Sequence, residues 1–392
     1  MMHIMKLIKK LKKKSNVIVI SLLISMIIFS QIRYLPASSV DTHNNAIYRP
    51  IRIKYGYLNT IQITVDRYIE KGNILYWLDA IVVFQTNPKI DIKNPRMQII
   101  CLPNGPTIDF KTYDNDDKFI MYPNNNTKLI FISYYVDLDE NLFKKITSES
   151  IIKISFMYNN GVIEEVNTKL SSGTVSTNLF NLENGIVHHS DFINNNSMKS
   201  SLYTPESIST VEYLAPPWSG GGGTGDFDYD KSQGHLFARA EAGMGRYGPA
   251  RSDSLLYVYD IYAFTDDVLY TLGGYFKGEL KVISTSQYFP SWAMIKGHII
   301  IRDIDTGYSK SVVLFEDGLS VVGDALTKSI DRYKSKSTLF PVVRMHSIKI
   351  ILKIVVSIGL PNTDSYALSN FKEYFIIWPI KGVFNCWAKV EY

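Results

Sequence analysis

Three carboxylates at every second position, Asp226, Asp228 and Asp230, are the residues best spaced to do chemistry, with Phe227 and Tyr229 between them. On an extended chain alternate side chains share a face, so the carboxylates would point one way and the aromatics the other. Clustered carboxylates suit Ca2+, which gathers about six to eight hard oxygen ligands. The EF-hand loop is excluded, because Lys231 stands where it needs glycine and Phe237 where it needs glutamate. Asp226, Asp228 and Asp230 are therefore an irregular Ca2+ candidate, set against the plainer reading of a hydrated strand end. Ca2+ is the one cofactor the sequence suggests.

Other patterns carry less. Gly243, Gly245 and Gly248 match the letter of the dinucleotide fingerprint, but Pro249 and a strand-like run follow where a helix must open. His188 and His189 are adjacent, so on a strand they point apart and hold no common ion. No Gly-x-Ser-x-Gly elbow occurs. Asp303 and Asp305 flank a turn at Gly307, where Asp serves the backbone. Cys101 sits in an apolar run and reads as an inert buried thiol. A bond from Cys101 to Cys386 would require two separate blocks of the chain to dock. Paired acids of a glycoside hydrolase would sit on distant strands and cannot be picked out by spacing.

Aromatic residues are the remaining signal, at 13% of the chain with 26 Tyr. Trp and Tyr stack on flat apolar faces and anchor interfaces. Trp218 beside a glycine run and Trp292 in a loop-like segment are the candidate ligand contacts. Packing in a β core is the competing role for both.

The charge balance narrows the partners. The net charge is +5, from 42 Lys+Arg against 37 Asp+Glu. Lys6, Lys9, Lys10, Lys12, Lys13, Lys14 and Arg33 all fall in the first 36 residues, and without them acids slightly outnumber bases. The body of the protein has no basic excess, which argues against a nucleic-acid partner. Residues 1–36 read as a secretory signal or an uncleaved signal anchor: a lysine cluster, an apolar run over 17–29, then small residues at 37–39. The apolar run is short for a bilayer span, which needs ~20 residues. The expectation is a chain secreted, or held on the outer face of the cytoplasmic membrane, that meets the membrane only through this segment.

Elements must position these residues, and they read as strands. Ile61, Ile63 and Val65 alternate with Gln62, Thr64 and Asp66, the period of a strand with one buried face. Runs at 81–84, 97–102, 129–136, 151–158, 298–304, 311–315 and 348–358 are rich in β-branched and aromatic residues. Asn160-Gly161 between two such runs signals a hairpin with a type I′ turn. Turns are also expected at 305–307 and at Asp317-Gly318. Short helices are expected over 139–146 and 325–333.

The reading is all-β: two antiparallel β-sandwich domains, Ig-like or jelly-roll, over 47–170 and 227–392. A Ser/Asn/Gly-rich mobile linker joins them over 171–225. The first functional reading is an exported, non-catalytic cell-surface or extracellular binding or structural protein of prokaryotic look, adhesive in character. Its partner would be a glycan, an envelope polymer or another protein. The alternative is a secreted hydrolase, glycan- or peptide-directed, whose catalytic carboxylates the fold hides.

Overall fold

The computed structural model describes residues 49–392, apart from 71–72, 114–117, 178–199, 204–208, 211–223, 231–233, 244–249, 362–363, 376–377 and 392. The 1–36 segment, Trp218, the two adjacent histidines and most of the glycine fingerprint lie outside the described residues. No helix among the described residues is long and apolar enough to cross a membrane.

The chain is all-β, and its described strands form four sheets consistent with two β-sandwiches. Sheet A has seven strands, with Gly56–Glu70, Asn73–Thr86 and Thr127–Asp139 at its centre. Sheet B has four, ordered Ile163–Lys169, Ile151–Tyr158, Ile92–Ile100, Thr107–Asp109. Sheet C has eight, including His235–Ala242, Asp266–Ile283, Ala325–Val342, Tyr366–Phe371 and Trp378–Glu391. Sheet D has five, with Ala250–Ile261, Ser347–Gly359, Ser291–Asp303 and Ser309–Val321 in that order. Among the described registers, pairing is antiparallel except where Val175–Thr177 runs parallel to Gly56–Glu70.

One apolar core joins sheets A and B through Ile61, Ile63, Ile92, Ile152 and Phe156. A second joins sheets C and D through Leu280, Ile299, Ile301, Ile350 and Val383. Two smaller clusters join A to D: Trp77, Tyr113, Tyr135, Ile300 and Ile351 in one, Phe131, Trp292, Met294 and Val355 in the other. The layers therefore run B, A, D, C. Burial follows from that order. Ile151–Tyr158 in outer sheet B is buried at every second residue. Ser291–Asp303 and Ser347–Gly359 in inner sheet D are buried throughout. A strand covered on both faces reads as a continuous apolar run, and 348–358 is such a run.

The inner layers correct the expectation of one wet face on 60–66. Gln62 and Thr64 are as buried as their apolar neighbours, because that face meets sheet D. Gln62 donates from Nε2 to the Ile358 carbonyl at 3.0 Å and accepts from Ser357. Between A and D, Asp79 pairs with Lys353 and lies 3.5 Å from Arg251; all three are 1–2% exposed. Lys296, fully buried, donates to Ser133 at 3.0 Å and lies 3.3 Å from Glu316. Arg302 pairs with Asp137. Buried charges need partners, so this paired set ties the two inner sheets in one register.

Other local expectations change as well. The hairpin at Asn159–Gly161 forms, but only Gly161 has positive φ (+82°), with the Gly161 N–H bonded to Tyr158 O and Tyr158 N–H to Val162 O. That is a three-residue turn closed by a left-handed glycine, not type I′. Residues 325–333 belong to the 18-residue strand Ala325–Val342, not a helix: Ile330 faces the core and the whole run pairs with Asp266–Ile283. No turn breaks Asp317-Gly318, since Ser309–Val321 runs through both and Gly318 faces Phe119 and Met121. The 305–307 turn forms, and the helix near 139 is Glu140–Phe143, capped by Asp139. The 171–225 stretch is not wholly a loop: Val175–Thr177, Ser200–Tyr203 and Ser209–Thr210 each join a sheet.

Candidate functional site

The site expected at Trp292 is not there. Trp292 lies on the strand Ser291–Asp303, is 1% exposed, and packs edge-on against Phe131 at 5.0 Å and over Gly359. It fills the junction between sheets A and D and presents no face to a ligand. Asp226, Asp228 and Asp230 do share the strand Thr224–Asp230 at alternate positions, paired with His235–Ala242. Their side chains lie outside what is described.

Among the described residues the one cluster of metal-type ligands is Asp303, Asp305 and His346. Its oxygens serve the hairpin instead. Asp303 Oδ1 accepts from the N–H of Asp305 at 2.8 Å and of Thr306 at 3.1 Å. Its Oδ2 meets His346 Nδ1 at 2.8 Å, and Asp305 Oδ2 accepts from the Ser347 N–H at 2.7 Å. Burial works to raise the Asp303 pKa, but the bonds from His346, Thr306 and Asp305 outweigh it and hold the carboxyl below its ordinary value. Cys101 and Cys386 are both buried free thiols in different cores, Cys386 Sγ donates to the Val383 carbonyl at 3.7 Å, and burial pushes both thiols up.

An aromatic face that spacing did not reveal lies on the outer side of sheet C. Along Asp266–Ile283 the even residues Val268, Tyr270, Leu272, Phe276 and Leu280 enter the core, so Gly273 and Tyr275 face out. Gly273 pairs with Trp387 and Tyr275 with Tyr333. The indole of Trp387 lies over Gly273. A Cβ there would come within 2.9 Å of Trp387 Cε2 and Cζ2 and of the Lys334 carbonyl, so only glycine admits the ring. Trp387 Nε1 then donates to the Tyr333 hydroxyl at 2.6 Å, reaching across the intervening strand. Tyr333 is 54% exposed. Tyr275 donates its hydroxyl to Asp331, and that bond to a carboxylate raises the phenol's pKa. Three aromatics from three neighbouring strands thus stand side by side on a sheet face.

The rim is polar. Thr271 and Ser337 bond across strands at 2.7 Å. Lys381 bonds Glu279 at 2.8 Å and Glu373 at 2.6 Å; burial opposes its charge, but the two carboxylates raise its pKa overall. One ammonium thus engages both carboxylates. Farther along the sheet, opposite Ile283 and away from these rings, Tyr366 donates to Glu241 at 2.8 Å, and burial together with that bond raises its pKa. The sequence did hold one sign of this face. Gly273-Gly274 inside an aromatic strand marks a close approach, here by an indole whose position 114 residues later no local pattern reveals.

A second concave feature lies where sheets A, B and D meet, lined by Arg96, Phe110, Lys111, Tyr113, Tyr135 and Lys310 among others.

No known family model matches the chain, and no curated protein matches it in sequence. Among solved structures it is similar to the CBM22-1 xylan-binding domain of Paenibacillus barcinonensis Xyn10C, at 11% identity and TM-score 0.16, over 47% of this chain and 92% of that one. The tandem CBM22-1-CBM22-2 domain of the same protein matches at 8% identity and TM-score 0.16, over 83% of this chain and 96% of that one. An isomaltodextranase from Arthrobacter globiformis T6 matches at 8% identity and TM-score 0.14, over 83% of this chain and 36% of that one. At these TM-scores the likeness transfers neither a site nor an activity.

Proposed function

We propose that this chain is an exported, non-catalytic glycan-binding protein that uses the Trp387–Tyr333–Tyr275 face as its contact surface. Its two pairs of sheets would be sandwiches of Ig-like or jelly-roll type, carried outside the cell by the lysine-rich and apolar 1–36 segment. The observation that carries the reading is the placing of Trp387: a large ring seated on a glycine, beside a tyrosine that is 54% exposed. A pyranose ring offers an apolar C–H face to such rings and hydroxyls to a polar rim. A rigid aromatic on a strand loses little side-chain entropy on binding.

Affinity electrophoresis of the full chain through gels containing neutral polysaccharides tests the reading. Retardation by at least one β-linked glucan, xylan or mannan is expected, with retardation lost in Trp387→Ala. Free migration of the native chain in every gel would overturn it.

A further inference from the structure

The cleft at the junction of sheets A, B and D has no part in the aromatic face. Arg96 comes from sheet B, Lys111 and Tyr135 from sheet A, and Ser309, Lys310 and Ser311 from sheet D. It therefore exists only because the inner sheets dock. Its volume of about 420 Å³ falls in the range of small-ligand sites, ~300–1,000 Å³.

The charge on its described lining residues has one sign. Arg96 and Lys111 are exposed and form no ion pair among the described residues. Lys310 uses one N–H on the Leu339 carbonyl at 2.9 Å. No carboxylate is among the described lining residues; Asp114, Asp116 and Asp117, which follow Tyr113 in sequence, lie outside them. Tyr113 and Tyr135 have ring centroids 4.8 Å apart, and Phe110 adds a third ring. Thr112 and Ser309 add hydroxyls, while that of Ser311 is buried and donates to the Ile299 carbonyl at 3.3 Å. Tyr113 is 5% exposed, yet its hydroxyl has no hydrogen-bond partner. That oxygen is covered by protein, so it lies behind the cleft wall and not on it.

We propose that this cleft is a second binding site, for an acidic saccharide: a uronate carboxylate or sugar sulfate set against Arg96, Lys111 and Lys310, with ring hydroxyls meeting Thr112 and Ser309. Cations alone would suit any anion. The part-exposed hydroxyls of Thr112 and Ser309 beside them suit a polyhydroxylated one better than a peptide.

Calorimetric titration of the full chain tests the site with four probes: oligogalacturonate, a heparin-derived hexasaccharide, inorganic phosphate and a glutamate-rich peptide. One of the two saccharides is expected to bind, and more weakly as salt is raised. Oligogalacturonate identifies a carboxylate ligand, the heparin fragment a sulfate. The paired Arg96→Ala and Lys111→Ala change, at exposed positions, should weaken binding roughly tenfold or more. Trp387→Ala should leave it unchanged, so this site can fail while the aromatic face stands, and the reverse. The proposal is overturned if neither saccharide binds, if the arginine–lysine variant binds as the native chain does, or if phosphate or the peptide binds more tightly than both saccharides.

Discussion

Removing the Asp79 carboxylate tests whether sheets A and D are held together by buried charge. Asp79 is 2% exposed, with Lys353 at 1% and Arg251 at 2% around it. In Asp79→Ala the two cations stay buried and lose this carboxylate. Breaking a buried pair from one side costs about 3–5 kcal/mol, far above the ~0–1 kcal/mol of a surface pair. The lower end applies if the Lys353 stem reaches water through the space left by the carboxylate. Removing all three charges in Asp79→Leu with Lys353→Met and Arg251→Met should recover most of the loss, since apolar replacements of buried ion pairs and triads are often neutral. Equilibrium urea unfolding followed by tryptophan fluorescence measures both. It also shows whether one transition splits into two as the sandwiches part, since Trp77 and Trp292 both sit in the A–D junction. A loss below ~1 kcal/mol for Asp79→Ala would mean that this junction is wet and that the charges do not tie the sheets.

Two further outcomes follow from particular contacts. Gly273→Ala would set a methyl 2.9 Å from the indole and from the Lys334 carbonyl; overpacking of this kind costs about 1–3 kcal/mol, and the displaced indole should blue-shift or quench differently in fluorescence and lose glycan retention. Asp303 has its pKa depressed, so its hairpin bonds stabilise the fold above the ordinary Asp pKa and are lost as pH falls through the lower folded value. Asp303→Asn should therefore lower stability by about 1–3 kcal/mol at neutral pH. It should also flatten the pH dependence of unfolding in the acid range, and an unchanged acid profile would show that Asp303 is not the group responsible.

Much of the β architecture was legible because period-two burial writes itself into sequence. Ile151–Tyr158 alternates as it reads. The stacking of one sandwich on the other was not legible. Gln62, Thr64 and Asp79 look like solvent residues until their partners are known, and the partner of Asp79 is 274 residues away. The long apolar run at 348–358 was the local hint, since only a strand covered on both faces needs it. Trp292 misled for the same reason: a tryptophan between Pro290 and a strand looks like a loop anchor, yet the second sandwich covers it. The 325–333 stretch misled because Leu326 and Ile330 are spaced like a helix face, whereas Leu326 is 47% exposed and Ile330 1% on a strand. Trp387 was passed over because what gives it meaning, Gly273 beneath it and Tyr333 beyond, lies on two other strands.

Calorimetric titration of a neutral oligosaccharide, cut from whichever polysaccharide retards the chain, into the native protein, Trp387→Ala and Trp292→Phe tests the glycan-binding face most directly. A central aromatic contact is worth about 2 kcal/mol or more, roughly thirtyfold in Kd. Trp387→Ala should therefore lose at least that much, while Trp292→Phe, altered only in the interior, should bind as the native chain does. Equal affinity in Trp387→Ala and the native protein would contradict the assignment of this face.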